Sequence, residues 1–247
     1  MLNTGDLVFI KGDPVEILEN LGKGYKLIKF TNTGNIIKAH ITNISTGEVR
    51  DRLKRDVRGV GFFGIGEYNC KHKSHQYWSN MFERCYNKVF QERQPTYVEC
   101  VVADEWQNFQ TFAKWFDDNF PTSGGVKYEL DKDILVKGNK TYGPDFCCFV
   151  PKRVNQYLVS AKASRGVYPL GVSPAKQKPG KFEVRCADLS GVRRFLGHVI
   201  DPIQGFYIYK EYKESKIKEL AEECFKNNTI SQKVYNALLN FKITIED

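Results

Sequence analysis

The sequence predicts an α+β fold assembled from small pieces, and three observations carry that expectation. Short runs rich in Val, Ile, Phe and Tyr, separated by turn formers, fill residues 5–48. Two later stretches, 75–88 and about 104–119, space their apolar residues at the helical period. Residues 128–157 then read strand, loop, strand, helix.

The whole chain bounds what these pieces can be. At 247 residues it is long enough for two or three small domains. A hydrophobic content of 41%, with 17 Phe and 13 Tyr, supplies their cores. No run of 18 apolar residues occurs, which argues against a membrane partner. The first residues, MLNTGDLVFIKG, lack the basic-then-apolar layout of a secretory signal. Seven scattered Cys with no CxxC pair point to buried thiols in a reducing, cytoplasmic setting rather than a zinc site.

Charge is unevenly placed. The net charge is +8, yet residues 136–194 alone hold 12 Lys and Arg against 3 Asp and Glu. The remainder of the chain is close to neutral. A local excess of this kind is the footprint of a phosphate-backbone binder, so double-stranded DNA is the expected partner. A solvated basic surface is the plainer alternative.

In chain order, the runs GDLVFI, VEILENL, YKLIKFTN and NIIKAHITNI predict four or five short strands over residues 1–50. Strands of this length suit a small SH3-like β-barrel. Residues 51–70 form a glycine-rich linker. Gly59, Gly61 and Gly64 fit the spacing of a dinucleotide-binding loop, but a charged run precedes them and no amphipathic helix follows. A linker docked on a neighbouring domain is the better reading. The helix over 75–88 places Tyr77, Trp78, Met81, Phe82 and Cys85 on one face, and the helix over 104–119 buries Trp106, Phe109, Phe112, Ala113 and Phe116. These aromatics follow the helical period and belong to a core rather than to a base-stacking surface.

The stretch 128–157 carries the chemistry. A strand over 128–135 contains Asp131, Lys132 and Asp133. Lys137, Gly138, Asn139 and Lys140 form a turn, an apolar run over 146–150 forms a second strand, and Pro151 can open a helix holding Lys152, Arg153 and Asn155. The layout resembles the ββα-metal motif of HNH (His-Me finger) endonucleases, closest to the phage and intron-borne homing branch. The residues that carry it are Tyr77, Trp78, Met81, Arg84 to Asn87, Leu130 to Ile134, Gly138 to Lys140, Tyr142, Pro144, Cys147, Phe149 to Pro151 and Asn155. The glycine-rich segment often precedes the nuclease part in that family. The resemblance implies an HNH-like core over 71–163, with Asp131 and Asn155 holding one Mg²⁺ for phosphodiester hydrolysis. This chain has Lys132 where the family has its catalytic His. Lysine is protonated at neutral pH, so Lys132 serves as a base only if burial lowers its pKa, and otherwise as a cation facing a phosphate. Alternation would put Asp133 on the face of Asp131, as a second ligand or as the base. Taken singly, Asp131 is also readable as a surface strand residue paired with Lys132 or Lys152, and Asn155 as a helix-surface amide.

Residues 164–247 form the last module. Its signals are Tyr168 to Val172, Gly180 to Arg185, Arg193 to His198 and a helix containing Tyr207, Tyr209 and Tyr212. These resemble an AP2-type DNA-binding domain, with three strands that enter the major groove and one backing helix. The resemblance makes Lys181, Arg185, Arg193 and Arg194 the nearest equivalents of DNA contacts, with Lys152 and Arg153 added from the ββα helix. Phe182 stands where the family often has Trp, and residues 204–209 replace its usual helix motif. A charged helix over 209–226 and a short one over 231–240 end the chain. The function expected is a DNA endonuclease of the homing type; the alternative is a DNA-binding regulator or phage counter-defence factor on a scaffold that lost its base. A phage protein of either kind would act in the host cytoplasm.

Overall fold

Four antiparallel strands, β1 (Leu7–Ile10), β2 (Asp13–Gly22), β3 (Tyr25–Phe30) and β4 (Ile36–His40), make a sheet in the order β1-β2-β3-β4. Two of its loops are Lys-Gly pairs with both residues at positive φ, 50° and 86° at Lys11 and Gly12 and 50° and 78° at Lys23 and Gly24. That backbone matches the twist of the flanking strands, which is why two-residue hairpins favour it. Alternation then buries Val15, Ile17, Ile28 and Phe30 on one face, with Ile10, Ala39 and Ile44. The expected closed SH3-like barrel gives way to an open meander: among the described residues no pairing joins β4 back to β1. The reason lies after His40: residues 41–44, the end of a run expected as strand, open helix α1 (Ile41–Thr46). A ring nitrogen of His40 accepts from the Thr42 amide at 3.3 Å and Gly47 ends the helix at φ 70°, so Ile44 covers the sheet where a fifth strand would have run.

The computed structural model describes residues 2–122, 124–158 and 167–246. It divides into two compact units, residues 1–118 and 119–247. The division falls inside 71–163, between its helices and its ββα part. The sequence reading of Ser164, Arg165 and Gly166 as a link lies outside the described residues.

In the first unit the glycine-rich segment is a packed strap. The Phe62 amide donates to the Gln107 carbonyl at 2.9 Å, and the Phe109 amide donates to the Phe62 carbonyl at 3.0 Å. This insertion splits the helix expected over 104–119 into α4 (Asp104–Gln107) and α5 (Phe109–Asn119), with Asn108 extended between them. A Cβ on Gly61 would sit 2.7 Å from the Phe82 ring, so only glycine lets the strap this close. Helix α2 (Ser74–Tyr86) buries Trp78, Met81, Phe82 and Cys85. Asn87 ends it and caps α3 (Lys88–Arg93), its side-chain oxygen accepting from the Val89 amide at 3.0 Å. Trp78 is fully buried and its indole N–H donates to the Trp106 carbonyl at 2.7 Å. Trp78→Phe keeps most of the ring volume and orphans that carbonyl; a loss of about 1–3 kcal/mol in urea unfolding is expected.

In the second unit β5 (Tyr128–Asp131) pairs antiparallel with β6 (Cys148–Pro151), and α6 (Lys152–Leu158) follows at once. Pro151 is the last strand residue rather than the first of the helix. Next come β7 (Val172–Pro174), β8 (Phe182–Ala187) and β9 (Arg193–Val199), an antiparallel sheet in the order β9-β8-β7. One continuous helix, α7 (Pro202–Lys226), replaces the two expected over this stretch. Asp201 caps it and Pro202 opens it. Gly205 sets the helix on the sheet: a Cβ there would meet a methyl of Val172, Val184 and Val199 at 3.1 Å each. Helix α8 (Gln232–Leu239) closes the unit. Val150 and Val154 share one core with Phe206, Ile217, Leu220 and Cys224 of α7 and Val234 and Leu238 of α8. The architecture is thus α+β, built on several small sheets. No helix among the described residues is long and apolar enough to cross a membrane.

Candidate functional site

Asp131 is the last residue of β5, opposite Cys148. Its Oδ1 accepts from the amides of Asp133 (2.9 Å) and Ile134 (2.8 Å). Those two bonds turn the chain by the Asx mechanism, which competes with continued pairing. The strand expected over 128–135 therefore stops at Asp131, and Asp133 lies in the turn rather than on the strand. The two carboxylates are neighbours through the turn instead of through alternation. Burial, and then the charge of Asp133, pushes the Asp131 carboxyl up to about 6. Burial, then the Asp131 charge, pushes the Cys148 thiol well above its ordinary range, so it stays protonated.

Lys132 is buried. Its Nζ donates to Asp133 Oδ2 at 2.9 Å and to the Asn139 carbonyl at 3.0 Å. Asn139 closes the same loop, donating through Nδ2 to the carbonyls of Lys132 and Thr141 at 2.7 Å each and accepting from the Thr141 amide at 3.1 Å. The Gly-Asn-Lys signal of the sequence is thus a clasp that fixes the loop after the site. An ammonium spent on two acceptors inside this loop is a brace for the turn.

Asn155 stands in the first turn of α6. Its Nδ2 donates to Glu129 Oε2 at 2.6 Å. Glu129 shares a strand face with Asp131, since Tyr128 and Leu130 take the buried positions that alternate with them. The structure thus brings Asn155 to the strand face of Asp131, two residues and about 7 Å along it. Sequence reasoning missed Glu129; its place at i−2 from Asp131, outside the apolar phase of the strand, was the available signal. Glu129, Asp131, Asp133 and the Asn155 amide carry oxygen donors, the type that Mg²⁺ prefers, without converging on one point. No group of three or more His, Cys, Asp or Glu gathers as a metal cage among the described residues.

The remaining basic candidates separate into two groups. Arg153 donates to Glu223 Oε1 at 2.7 Å and lies 3.3 Å from Cys224 Sγ, and the Glu223 bond raises its pKa further. It tethers α6 to α7. Arg194 Nε donates to Asp188 Oδ2 at 2.6 Å, and the Ser190 hydroxyl and then Arg194 hold the Asp188 carboxyl well below the usual range. It fastens the β8–β9 turn. Lys152, Lys181, Arg185 and Arg193 are exposed.

Arg185 belongs to a built surface. Val184 and Cys186 point to α7, so Glu183 and Arg185 face outward on β8. Across the pair, Arg185 stands opposite Phe195, Glu183 opposite His198 and Ala187 opposite Arg193. Register shifts between Val184 and Arg185, a bulge that puts Leu196 in as an extra residue on β9. The Arg185 guanidinium lies 5.6 Å from the Phe195 ring centre and pairs with Glu183 at 3.3 Å. His198 packs on Phe195 with ring centres 4.8 Å apart. Glu183, Arg185, Phe195 and His198, with Lys176 and Gln177, line an open hollow of about 540 Å³. Comparison of the chain with protein-family models, with curated proteins and with solved structures finds no match.

Proposed function

We propose that this chain is a DNA-binding protein of HNH-endonuclease type. In this reading the outward face of the β7–β9 sheet enters the major groove as in AP2 domains, and the ββα unit acts on a phosphodiester. The observation that carries it is the outward sheet face, where Arg185, Arg193 and an exposed Phe195 stand on a rigid sheet backed by one helix. The basic stretch 136–194 supplies the long-range attraction. The N-terminal meander would be the SH3-like part of the layout, left open on one side.

Asp131 and the Asn155 amide oxygen, with Glu129 beside them, would hold Mg²⁺; the ion supplies Lewis-acid stabilisation of charge on the scissile phosphate. The chain's own groups do the rest. Asn139 fixes the loop, Lys132 holds Asp133 in place through its ion pair, and Asp133, with a side chain 47% exposed, is the acceptor for a proton from water. In this reading Lys132 braces the turn through Asp133 and the Asn139 carbonyl rather than acting as the base.

A second reading has an observation of its own. The same locked Lys132 takes the place of the family's base, which favours a DNA-binding regulator or counter-defence factor acting in a host cytoplasm without cleavage. Incubation with supercoiled plasmid, with and without Mg²⁺, beside a gel-shift assay separates the two. Mg²⁺-dependent nicking is expected from wild type and not from Asp131→Ala. Salt-sensitive shifting without nicking would move the conclusion to the regulator; neither effect would remove both.

A further inference from the structure

We propose that Arg185 and Phe195 work as one reader of a guanine and a neighbouring thymine, Arg185 on the guanine edge and Phe195 on the thymine methyl. The inference rests on the DNA-binding reading above and adds the bases it selects.

The two side chains are directly opposite on β8 and β9, where Cβ atoms stand about 5 Å apart. With the guanidinium 5.6 Å from the ring centre, the two tips are spaced to reach bases on adjacent pairs, which rise 3.4 Å per step. The chemistry of each tip is selective. A guanidinium fork matches the O6 and N7 acceptors of guanine, and an aromatic ring in the major groove finds its apolar partner in the C5 methyl of thymine. Phe195 is 49% exposed on an outward sheet face, so a large apolar surface stands ready for such a partner.

Three further features fit base edges better than backbone. Glu183 lines the hollow and pairs with Arg185 at 3.3 Å. An acidic group there repels phosphate, while its pairing steadies the arginine fork. His198 packs on Phe195 at 4.8 Å and its Nδ1 lies 3.4 Å from Lys178 Nζ, which holds the ring in place. The bulge at Leu196 bends β9 where Phe195 stands, the kind of irregularity that re-aims a side chain. The cations suited to phosphate lie around this centre: Lys176 in the lining of the hollow, Arg193 two residues before Phe195 along β9.

The test is selection of duplexes from a randomised pool by the full chain, followed by binding of the enriched duplex. A G·C pair beside an A·T pair is expected in the enriched set. Replacing that thymine by deoxyuridine deletes only the methyl and should weaken wild type about four-fold. The same replacement should leave Phe195→Ala unaffected. Replacing the guanine should weaken wild type about 5- to 150-fold, and Arg185→Ala should level that difference. Enrichment without such a step, or a deoxyuridine effect that persists in Phe195→Ala, overturns the pair as a reader while DNA binding stands. Failure to retain any duplex overturns the inference together with the reading beneath it. Absence of any deoxyuridine effect on wild type overturns the methyl contact without need of a variant.

Discussion

Asp131→Asn is expected to make the metal-free protein more stable above pH 6, by up to about 3 kcal/mol. The cause is the placement of Asp131, partly buried beside Asp133 with its carboxyl raised to about 6 from an ordinary value of 3.8. A carboxyl raised by folding binds its proton more tightly in the folded state. Stability is therefore fully present below pH 4, falls as pH rises toward 6, and stays lower above it. Asparagine keeps an Oδ1 for the Asp133 and Ile134 amides and removes the charge. Thermal unfolding in EDTA at pH 4 and pH 8 should show the variant gaining on wild type only at the higher pH. Mg²⁺ should then raise the melting temperature of wild type and leave the variant where it was. Equal stability at pH 8, or a wild type that loses stability from pH 6 down to 4, would count against this account of the site. If Asp131 holds a metal as proposed, its raised carboxyl is a stability–activity conflict at one residue.

Gly171→Ala should cost about 3–5 kcal/mol, among the largest effects of any small substitution in the second unit. Gly171 has φ 75°, and a Cβ there would lie 2.0 Å from the Tyr209 ring of α7. The backbone region alone costs a non-glycine residue about 1–2 kcal/mol. The ring must then move out of its place against the sheet. Gly180 offers the control, with φ 78° and nothing within 4 Å of its Cβ position. Gly180→Ala should pay the backbone cost and little else. Urea unfolding should show both midpoints lowered at an unchanged slope, Gly171→Ala by much the larger amount. Equal losses would mean that α7 does not need Tyr209 in that position.

The parts of this fold legible in the sequence are those set by a simple period. Trp78, Met81, Phe82 and Cys85 repeat at the helical spacing, and α2 buries all four. Val15, Ile17, Ile28 and Phe30 alternate, and the meander buries them. Asp133 was placed on a strand because alternation has no way to register that Asp131 captures two amides ahead of it. The break at Asn108 was hidden for a similar reason, since its cause is a strap more than forty residues earlier. The candidate site was half legible. Asp131 and Asn155 do reach one strand face, but the side chain Asn155 touches is Glu129, which no motif singled out. Of six basic residues read as DNA contacts, Arg153, Arg185 and Arg194 each pair with an acidic neighbour, which charge counting along a chain has no means to see.

The core shared by Val150, Val154, Ile217, Leu220 and Cys224 has an evolutionary consequence. Exchange of the sheet module for another would strip the ββα unit of the helix that completes its interior, so the two parts are expected to be inherited together. Under the proposed function, new target preferences would then arise by point changes on the outward sheet face, with α7 held constant.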